Sequence, residues 1–340
     1  MLRTPLCDVL NIEAPIICAP MGPNITSLEL AAAVSNAGGL GIISFGGYPP
    51  TLLRQEIRRL RTLTNKPFGV NMILEFPLDE HINACIEERV PILSFFWGDS
   101  SPYIEQAHTA GIKVLDQVGS VEAAQRSAHA GVDVIIAQGV EAGGHLAGQV
   151  STMVLVPRVV DAVSPLPVVA AGGIADARGL VAALALGAEG VVLGTRFLAT
   201  PEAAAHPLYK EKVLEATEED TVRTTLFGHG WPNAPHRALL TPFVNEWLSQ
   251  EARGSEERPD EPVIGETKFG GQSVPVLRFM GYPPSTDATG DIASMGLLAG
   301  QSVGLVHEIK PAAQIMEELV DGACQIIEQH LKVRVMNAAI

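Results

Sequence analysis

Two short glycine-rich segments stand near the middle of the chain, and both could bind a phosphate. Residues 171–176 read AGGIAD and residues 193–197 read LGTRF, and each follows an apolar run rich in valine. Glycine lets backbone N–H groups approach a phosphate closely, and a helix N-terminus adds the positive end of its dipole. Either segment alone is typical of a tight turn. Because both follow consecutive predicted strands, together they predict a phosphate site. Its expected ligands are Gly172, Gly173, Gly194 and Thr195.

A histidine in a third glycine-rich loop is the strongest candidate for catalysis. His145 lies within residues 138–148, which read QGVEAGGHLAG and follow the sixth predicted strand. Near neutral pH an imidazole can take a proton from carbon or hold a developing anion. Because the reference pKa of histidine is ~6.5, we expect His145 to titrate near this value and its action as a base to weaken at lower pH. The other histidines are expected to be ordinary surface or capped residues. His145 differs because it follows a predicted strand that neighbours those carrying the predicted phosphate site. Gly143 and Gly144 precede it directly.

Polar groups at other predicted strand ends could bind a flat ring system. Residues 19–22 read APMG after the first strand, Asn71 ends the third strand and Gln117 ends the fifth. A flat isoalloxazine ring, for example, needs backbone donors at its edge and amides facing its polar positions. The alternative reading is that Met21 belongs to the core and that the two amides are ordinary polar strand ends. The expected ring contacts are Ala19, Pro20, Met21, Gly22, Asn71 and Gln117.

The elements that would position these residues are repeated βα units. Short apolar runs alternate with longer amphipathic stretches up to about residue 200, which is the pattern of a (β/α)8 barrel. The strand ends of such a barrel form its catalytic rim. The eight predicted strands are Pro15–Ala19, Leu40–Ser44, Phe68–Met72, Ile92–Phe96, Lys113–Gln117, Val132–Ala137, Val168–Ala171 and Gly190–Leu193.

After residue 200 the pattern changes to acidic clusters with scattered Trp, His and Pro. We therefore predict a barrel from residues 1–200 and 300–340, interrupted by an inserted, mainly helical or irregular subdomain at 201–299 that caps the barrel mouth. A cap that serves only stability or dimer contact is the alternative. The last barrel helix is expected at Pro311–Leu331. The sequence leaves open whether the chain forms a homodimer.

Composition excludes several classes of function. The chain has 340 residues, a formal net charge of −15 and 47% hydrophobic residues. Nucleic acids and anionic membranes need a basic surface, so neither is an expected partner. The four cysteines form no CxxC pair, and no metal motif occurs. The N-terminus lacks the pattern of a signal peptide, and the apolar runs are shorter than the ~20 residues that span a bilayer. A cytoplasmic enzyme with a small-molecule substrate is expected.

These motifs together resemble the nitronate monooxygenase family, also called 2-nitropropane dioxygenases. The resemblance rests on residues 19–22, 139–145, 171–176 and 194–197, and it extends over most of the chain. It implies an FMN-dependent barrel that oxidises alkyl nitronates, and often nitroalkanes, with O2 to a carbonyl compound and nitrite. It also implies that His145 is the catalytic base. Gln301, with its neighbours Gly300 and Ser302, resembles a family segment that returns to the cofactor.

The same motifs occur in related flavin enzymes, so other activities stay open. Flavin-dependent enoyl-acyl-carrier-protein reductases and NADH:quinone reductases share the scaffold and nearly the same histidine loop. Gln117 stands where the quinone reductases carry a lysine. A neutral amide stabilises a reduced flavin anion less than a cation does, which modestly favours the oxygenase. The main alternative is an NAD(P)H-dependent FMN reductase of quinones or enoyl thioesters, and a third is a flavin- or phosphate-binding barrel without catalysis. Trp97 and Trp231 are either substrate walls or packing under the cap.

Overall fold

A closed barrel of eight parallel strands forms the centre of the molecule. The computed structural model describes residues 2–44, 48–256, 258, 260–269 and 271–332. The barrel strands are β1 (Ile16–Cys18), β2 (Leu40–Ser44), β3 (Phe68–Ile73), β4 (Ile92–Phe96), β5 (Lys113–Val118), β6 (Val134–Gln138), β8 (Val168–Ala171) and β9 (Gly190–Leu193). They neighbour one another in chain order, and β9 closes on β1 with Ile17 opposite Val192. The predicted barrel is confirmed, with strand bounds that differ by at most two residues.

The strands are almost wholly apolar because both of their faces are buried, as is usual for parallel sheets covered by helices. One buried cluster, which includes Ile17, Leu115 and Val169, fills the barrel interior. The short helix α1 (Pro5–Leu10) precedes β1 and packs Leu6 against the same cluster. The N-terminal end of the barrel is therefore filled, and space for a ligand is left at the C-terminal end of the strands.

Helices surround the barrel and form a larger apolar layer with the outward faces of the strands. They are α2 (Leu28–Asn36), α3 (Pro50–Leu63), α4 (Asp79–Glu87), α5 (Ser101–Thr109), α6 (Val121–Ala130), α7 (Thr152–Val163), α8 (Ala177–Ala185) and α12 (Ala312–Gln325). The helix directly after β9, α9 (Thr195–Leu198), has only four residues. Because α9 is so short, α12 takes the eighth outer position and packs between α2 and α8. Residues from both sides of the inserted segment thus build one barrel.

The segment between α9 and α12 contains helices and two small antiparallel sheets. Its helices are α10 (Pro207–Glu215) and α11 (Pro242–Trp247), and its strands are β10 (Thr221–Thr224), β11 (His236–Leu239), β12 (Val263–Phe269), β13 (Gln272–Leu277) and β14 (Thr289–Gly290). Strand order is β13-β12-β14 in one sheet and β10-β11-β7 in the other, where β7 (Gly144–His145) belongs to the loop after β6. The sheets add strands to the mainly helical or irregular segment that the sequence predicts. The boundary at 201–299 stays a prediction.

The described ranges contain neither a membrane-spanning helix nor a cluster of metal ligands. No helix in those ranges is both long and apolar enough to cross a bilayer. The same ranges contain no group of three or more His, Cys, Asp or Glu side chains that could hold a metal ion.

Candidate active site

A cavity of about 430 Å3 opens at the C-terminal ends of the strands, and residues from the inserted segment also line it. All but one of the predicted site residues border this cavity. They are Ala19, Pro20, Met21, Gly22, Asn71, Gln117, Gly143, Gly144, His145, Gly172, Gly173, Gly194 and Thr195. The exception is Gln301, whose side chain is exposed, although its neighbour Ser302 does border the cavity. Residues that are far apart in the chain are therefore gathered at one barrel mouth.

The loops after β8 and β9 have the backbone geometry of a compact anion pocket. Gly172 and Gly173 have φ angles of +102° and +74°, a region that favours glycine. A Cβ atom added to Gly172 would lie 3.0 Å from the backbone N of Ala142, so this glycine also allows close packing. A Cβ at Gly194 would meet no heavy atom beyond its chain neighbours closer than the Cβ of Ala19, at 3.6 Å. Space is thus left in front of Gly194, where α9 begins.

Uncharged groups dominate the lining of this cavity. Among the described residues that border it there is no Lys, Arg, Asp or Glu. A dianion there would have to be held by backbone N–H groups and hydroxyls, and the first N–H groups of a helix have no acceptor within the helix. The geometry therefore fits the predicted way of binding phosphate without lysine.

Residues 300–302 return to the loop after β6 and to the start of α9. The backbone N of Gly300 donates to Oγ1 of Thr195 at 3.0 Å, and that of Gln301 donates to the carbonyl oxygen of Glu141 at 2.9 Å. A Cβ on Gly143 would lie 2.5 Å from the backbone N of Gly300. The two backbones therefore touch directly, and Gln301 contributes through its backbone, away from the cavity lining.

The first-strand loop is held together by Thr26, which the sequence did not single out. The backbone N of Met21 donates to Oγ1 of Thr26 at 2.9 Å, and that hydroxyl donates to the carbonyl oxygen of Ala19 at 2.7 Å. The N–H of Met21 is therefore already engaged within the loop. The Met21 side chain borders the cavity and packs against two apolar clusters, so it belongs partly to the core.

His145 is fixed by pairing between the barrel loop and the inserted segment. Strand β7 pairs antiparallel with β11, which places His145 opposite His236. Nε2 of Gln138 donates to the carbonyl oxygen of His145 at 3.0 Å. Nε2 of His145 is buried and has no hydrogen-bond partner among the described residues. A buried polar atom without a partner is costly, so this nitrogen is available to a ligand.

The surroundings of His145 keep its imidazole neutral. Burial lowers the pKa of His145 to about 3, and the neighbouring His236 acts in the same direction. Burial likewise lowers the pKa of His236 to about 4. Nδ1 of His236 contacts the carbonyl oxygen of Ala234 at 3.0 Å, and its Nε2 accepts from the backbone N of Phe227 at 3.2 Å. The expectation of a titration near ~6.5 for His145 is therefore wrong, because burial removes the water that would stabilise the charged form.

Two tryptophans surround His145. The indole of Trp231 stacks on the imidazole with centroids 4.0 Å apart and planes at 25°. Trp97, which follows β4, meets the imidazole edge-on at 6.1 Å and the Trp231 ring at 5.0 Å. Trp231 borders the cavity. The sequence left open whether these two residues were substrate walls or packing under the cap. Trp231 lines the cavity, and its contact with a substrate stays a prediction.

Several lining residues carried no signal in the sequence. Tyr209, Phe227, His229, Met280 and Tyr282 all border the cavity and all come from the inserted segment. No motif or periodic pattern marks them, because they reach the site through the long-range fold of that segment. Their placement shows that the segment contributes directly to the cavity.

A model of the family described as nitronate monooxygenase matches residues 3–84 and 75–322. The chain belongs to the nitronate monooxygenase family. A probable nitronate monooxygenase from Staphylococcus saprophyticus is 37% identical over 311 residues, which cover 77% of this chain and 84% of that protein. Membership in this family makes the protein an oxidoreductase.

Other proteins that are similar to this chain are not named as nitronate monooxygenases. A (3aS,4S,5R,7aS)-5-hydroxy-7a-methyl-1-oxo-octahydro-1H-indene-4-carboxyl-CoA dehydrogenase from Rhodococcus jostii is 40% identical over 246 residues, covering 72% of this chain and 67% of that protein. The structure of FabK from Thermotoga maritima superposes with a TM-score of 0.82 and 40% identity, over 99% of this chain and 100% of that one. The likeness to this structure therefore includes the inserted segment as well as the barrel.

Proposed function

We propose that this oxidoreductase binds FMN in the cavity and oxidises small alkyl nitronates with O2 to a carbonyl compound and nitrite. The observation that carries the proposal is the unpartnered, buried Nε2 of His145 in a cavity bordered by two glycine loops. Family membership and the relative named probable nitronate monooxygenase support the choice of substrate. A ligand that needs a phosphate site, a flat ring site and one neutral imidazole fits this lining.

The residues at the cavity suit FMN from one end to the other. Its phosphate would be held by Gly172, Gly173, Gly194 and Thr195. Its ring would lie against Asn71 and Gln117, with residues 19–22 and the Gly143–Gly144 turn at its edges. FMN is preferred to FAD because the chain has no second GxGxxG unit for an adenosine half. When bound, the flavin supplies the electron acceptor of the reaction and passes electrons to O2.

His145 would act on the substrate. With its proton on Nδ1, the imidazole presents a lone pair at Nε2, which can take the α-proton of a neutral nitroalkane and leave the nitronate anion. Burial keeps this nitrogen unprotonated but also makes it a weak base. A nitronate that is already formed needs no proton transfer. We therefore expect nitronates to be oxidised faster than the corresponding nitroalkanes.

The test is reduction of the purified protein under anaerobic conditions. We expect a yellow protein that releases FMN, whose flavin is bleached rapidly by propyl-2-nitronate and slowly by NADH or NADPH. Aerobic turnover should consume O2 and release nitrite. A colourless preparation that does not take up FMN would overturn the cofactor assignment, and a flavin that does not respond to nitronate would overturn the substrate assignment.

A second candidate is NAD(P)H-dependent reduction of a quinone or an enoyl thioester through the same FMN. The observation that favours it is the 40% identity to a relative named as a dehydrogenase of a carboxyl-CoA compound. Rapid bleaching by a nicotinamide, with no response to nitronate, would establish this alternative in the same experiment.

A further inference from the structure

The imidazole of His145 is enclosed by aromatic rings on several sides. Trp231 covers one face at 4.0 Å, and the rings of Trp97 and His236 meet it edge-on at 6.1 and 5.5 Å, with interplanar angles of 82° and 64°. Pairing of β7 with β11 already fixes the backbone of His145. The remaining freedom of this residue is rotation of its side chain, and the surrounding rings restrict that rotation.

The loop that carries Trp231 is anchored on both sides. The backbone N of Trp231 donates to the carbonyl oxygen of Gly228 at 3.0 Å, and that of Asn233 donates to Oγ of Ser255 at 2.8 Å. From the barrel side, the ring of Phe76 contacts the Trp231 indole edge-on at 5.8 Å. Trp231 is therefore held in place from the inserted segment and from the loop after β3.

The backbone at Trp97 carries strain that points to the same function. Trp97 has φ of +66°, which is rare for a bulky side chain. Such conformations are unfavourable and persist where the surrounding structure enforces them, often at functional sites. Here the unusual conformation directs the indole onto Trp231 and His145.

We propose that Trp231 is a positioning residue that holds the imidazole of His145 in one orientation and excludes water from it. The inserted segment then completes the active site by supplying this ring, in addition to covering the barrel. The proposal rests on the proposed function only for the statement that His145 acts on a substrate.

The charged groups around His145 leave water exclusion as the main influence on its protonation. On β11, His236 is neutral, and the guanidinium of Arg237 is engaged by the carbonyl oxygen of Val140 at 2.9 Å. Asp99, after β4, accepts from the backbone N and the hydroxyl of Ser101. His229 lies on the same loop as Trp231 and borders the cavity. Within the described ranges none of these groups forms an ion pair with His145. Removing the indole should admit water and raise the pKa of His145 toward ~6.5.

The test is an NMR titration of histidine-labelled protein, with the His145 signal assigned by its loss in His145→Gln. In the native protein we expect no titration of His145 between pH 5 and 8. In Trp231→Ala the ring should titrate within this window, whereas Trp231→Phe should behave like the native protein because a stacked ring remains. Trp231→Leu removes the ring and part of the side-chain volume, so water should also reach His145, and it gives the same readout if the alanine variant does not fold.

The control is Trp247→Ala. Trp247 lies in the inserted segment but packs on Phe279 and the Arg278 guanidinium, away from His145, and should leave the titration unchanged. In Trp231→Ala or Trp231→Leu, kcat for the proton-transfer reaction should fall about tenfold with little change in KM. If folded Trp231→Ala and Trp231→Leu both leave His145 untitrated, the proposal is wrong. Because the titration needs no turnover, it stays informative even if nitronate is not the substrate.

Discussion

The glycine loops after β8 and β9 and the aromatic groups around His145 border the same cavity but are built from different material. The loops present backbone at Gly172, Gly173 and Gly194, where a side chain would occupy the space of a ligand or force a close contact. The region around His145 presents the rings of His145, Trp97 and Trp231. His145 and Trp97 come from barrel loops, and Trp231 comes from the inserted segment. We therefore expect the first region to recognise a ligand through exposed backbone and the second through the identity of its side chains.

This difference has consequences for substitution and for divergence within the family. A site made of backbone groups tolerates no added side-chain volume, but substitutions of distant residues leave its ligand preference unchanged. A site made of stacked rings can change its ligand preference through a single side chain on the inserted segment. We expect relatives with different activities to share the glycine loops and to differ around the imidazole.

The largest expected effect is loss of flavin from Gly173→Val. Gly173 has φ of +74° and borders the cavity where the phosphate oxygens are expected, and an added Cβ would already lie 3.4 Å from the Cβ of Glu141. A valine there would both strain the backbone and fill that space. We expect the purified variant to retain no FMN, measured by absorbance and by the flavin released on denaturation.

Gly111→Val separates these two causes. Gly111 has a similar φ of +77°, and a Cβ there would have no heavy atom within 4 Å. It should therefore carry the backbone cost and keep its flavin. Equal flavin loss in both variants would show that strain alone explains the result and that the phosphate assignment is unsupported.

The next largest effect is expected from His145→Ala. If His145 acts on the substrate and the glycine loops hold the cofactor, as proposed, this variant should keep FMN. Its oxidation of neutral nitroalkanes should fall by 10²–10⁴-fold, which corresponds to a rise of about 3–5 kcal/mol in the activation free energy of the proton transfer. Oxidation of a pre-formed nitronate should fall less. The ratio of the two rates is measured by O2 uptake, with exposed His129→Ala as the control.

Equal loss of both activities, or loss of flavin, would contradict the role of a base. His145 would then be structural or electrostatic, and the difference between the two regions would disappear at this residue.

The pH dependence gives a third test of the imidazole region. His145 has its pKa lowered to about 3, so the neutral, proton-accepting form persists as the pH falls from 8 to 5. We expect kcat/KM for a nitroalkane to show no acid limb from His145 in this range. An acid limb near ~6.5 that disappears in His145→Gln would show that water reaches the imidazole in the working enzyme.

The two regions also differed in how far the sequence could predict them. The barrel and its glycine loops were predictable because strand periodicity and the spacing of Gly172 and Gly194 are local features. His145 was found because a histidine between glycines at a strand end is also local. Its environment was not predictable, since β7 pairs with β11 and Trp231 stacks on it only after the inserted segment folds. The lowered pKa of His145 depends on that burial, and the titration expected from the sequence was wrong for this reason.

The smallest expected effect isolates the strained backbone at Trp97, and it compares Trp97→Gly with Trp97→Ala. Both variants lose the indole and its contacts with Trp231 and His145, so their difference reports the backbone alone. At most positions glycine is the less stable of the two by about 0.5–1 kcal/mol, because it loses more freedom on folding. At φ of +66° alanine carries a penalty that glycine avoids, roughly 1–2 kcal/mol, which reverses the order. We expect Trp97→Gly to unfold at the higher urea concentration, with the same denaturant slope as Trp97→Ala. The opposite order would mean that the chain at residue 97 relaxes once the ring is gone, and that the indole itself holds the backbone in its left-handed conformation.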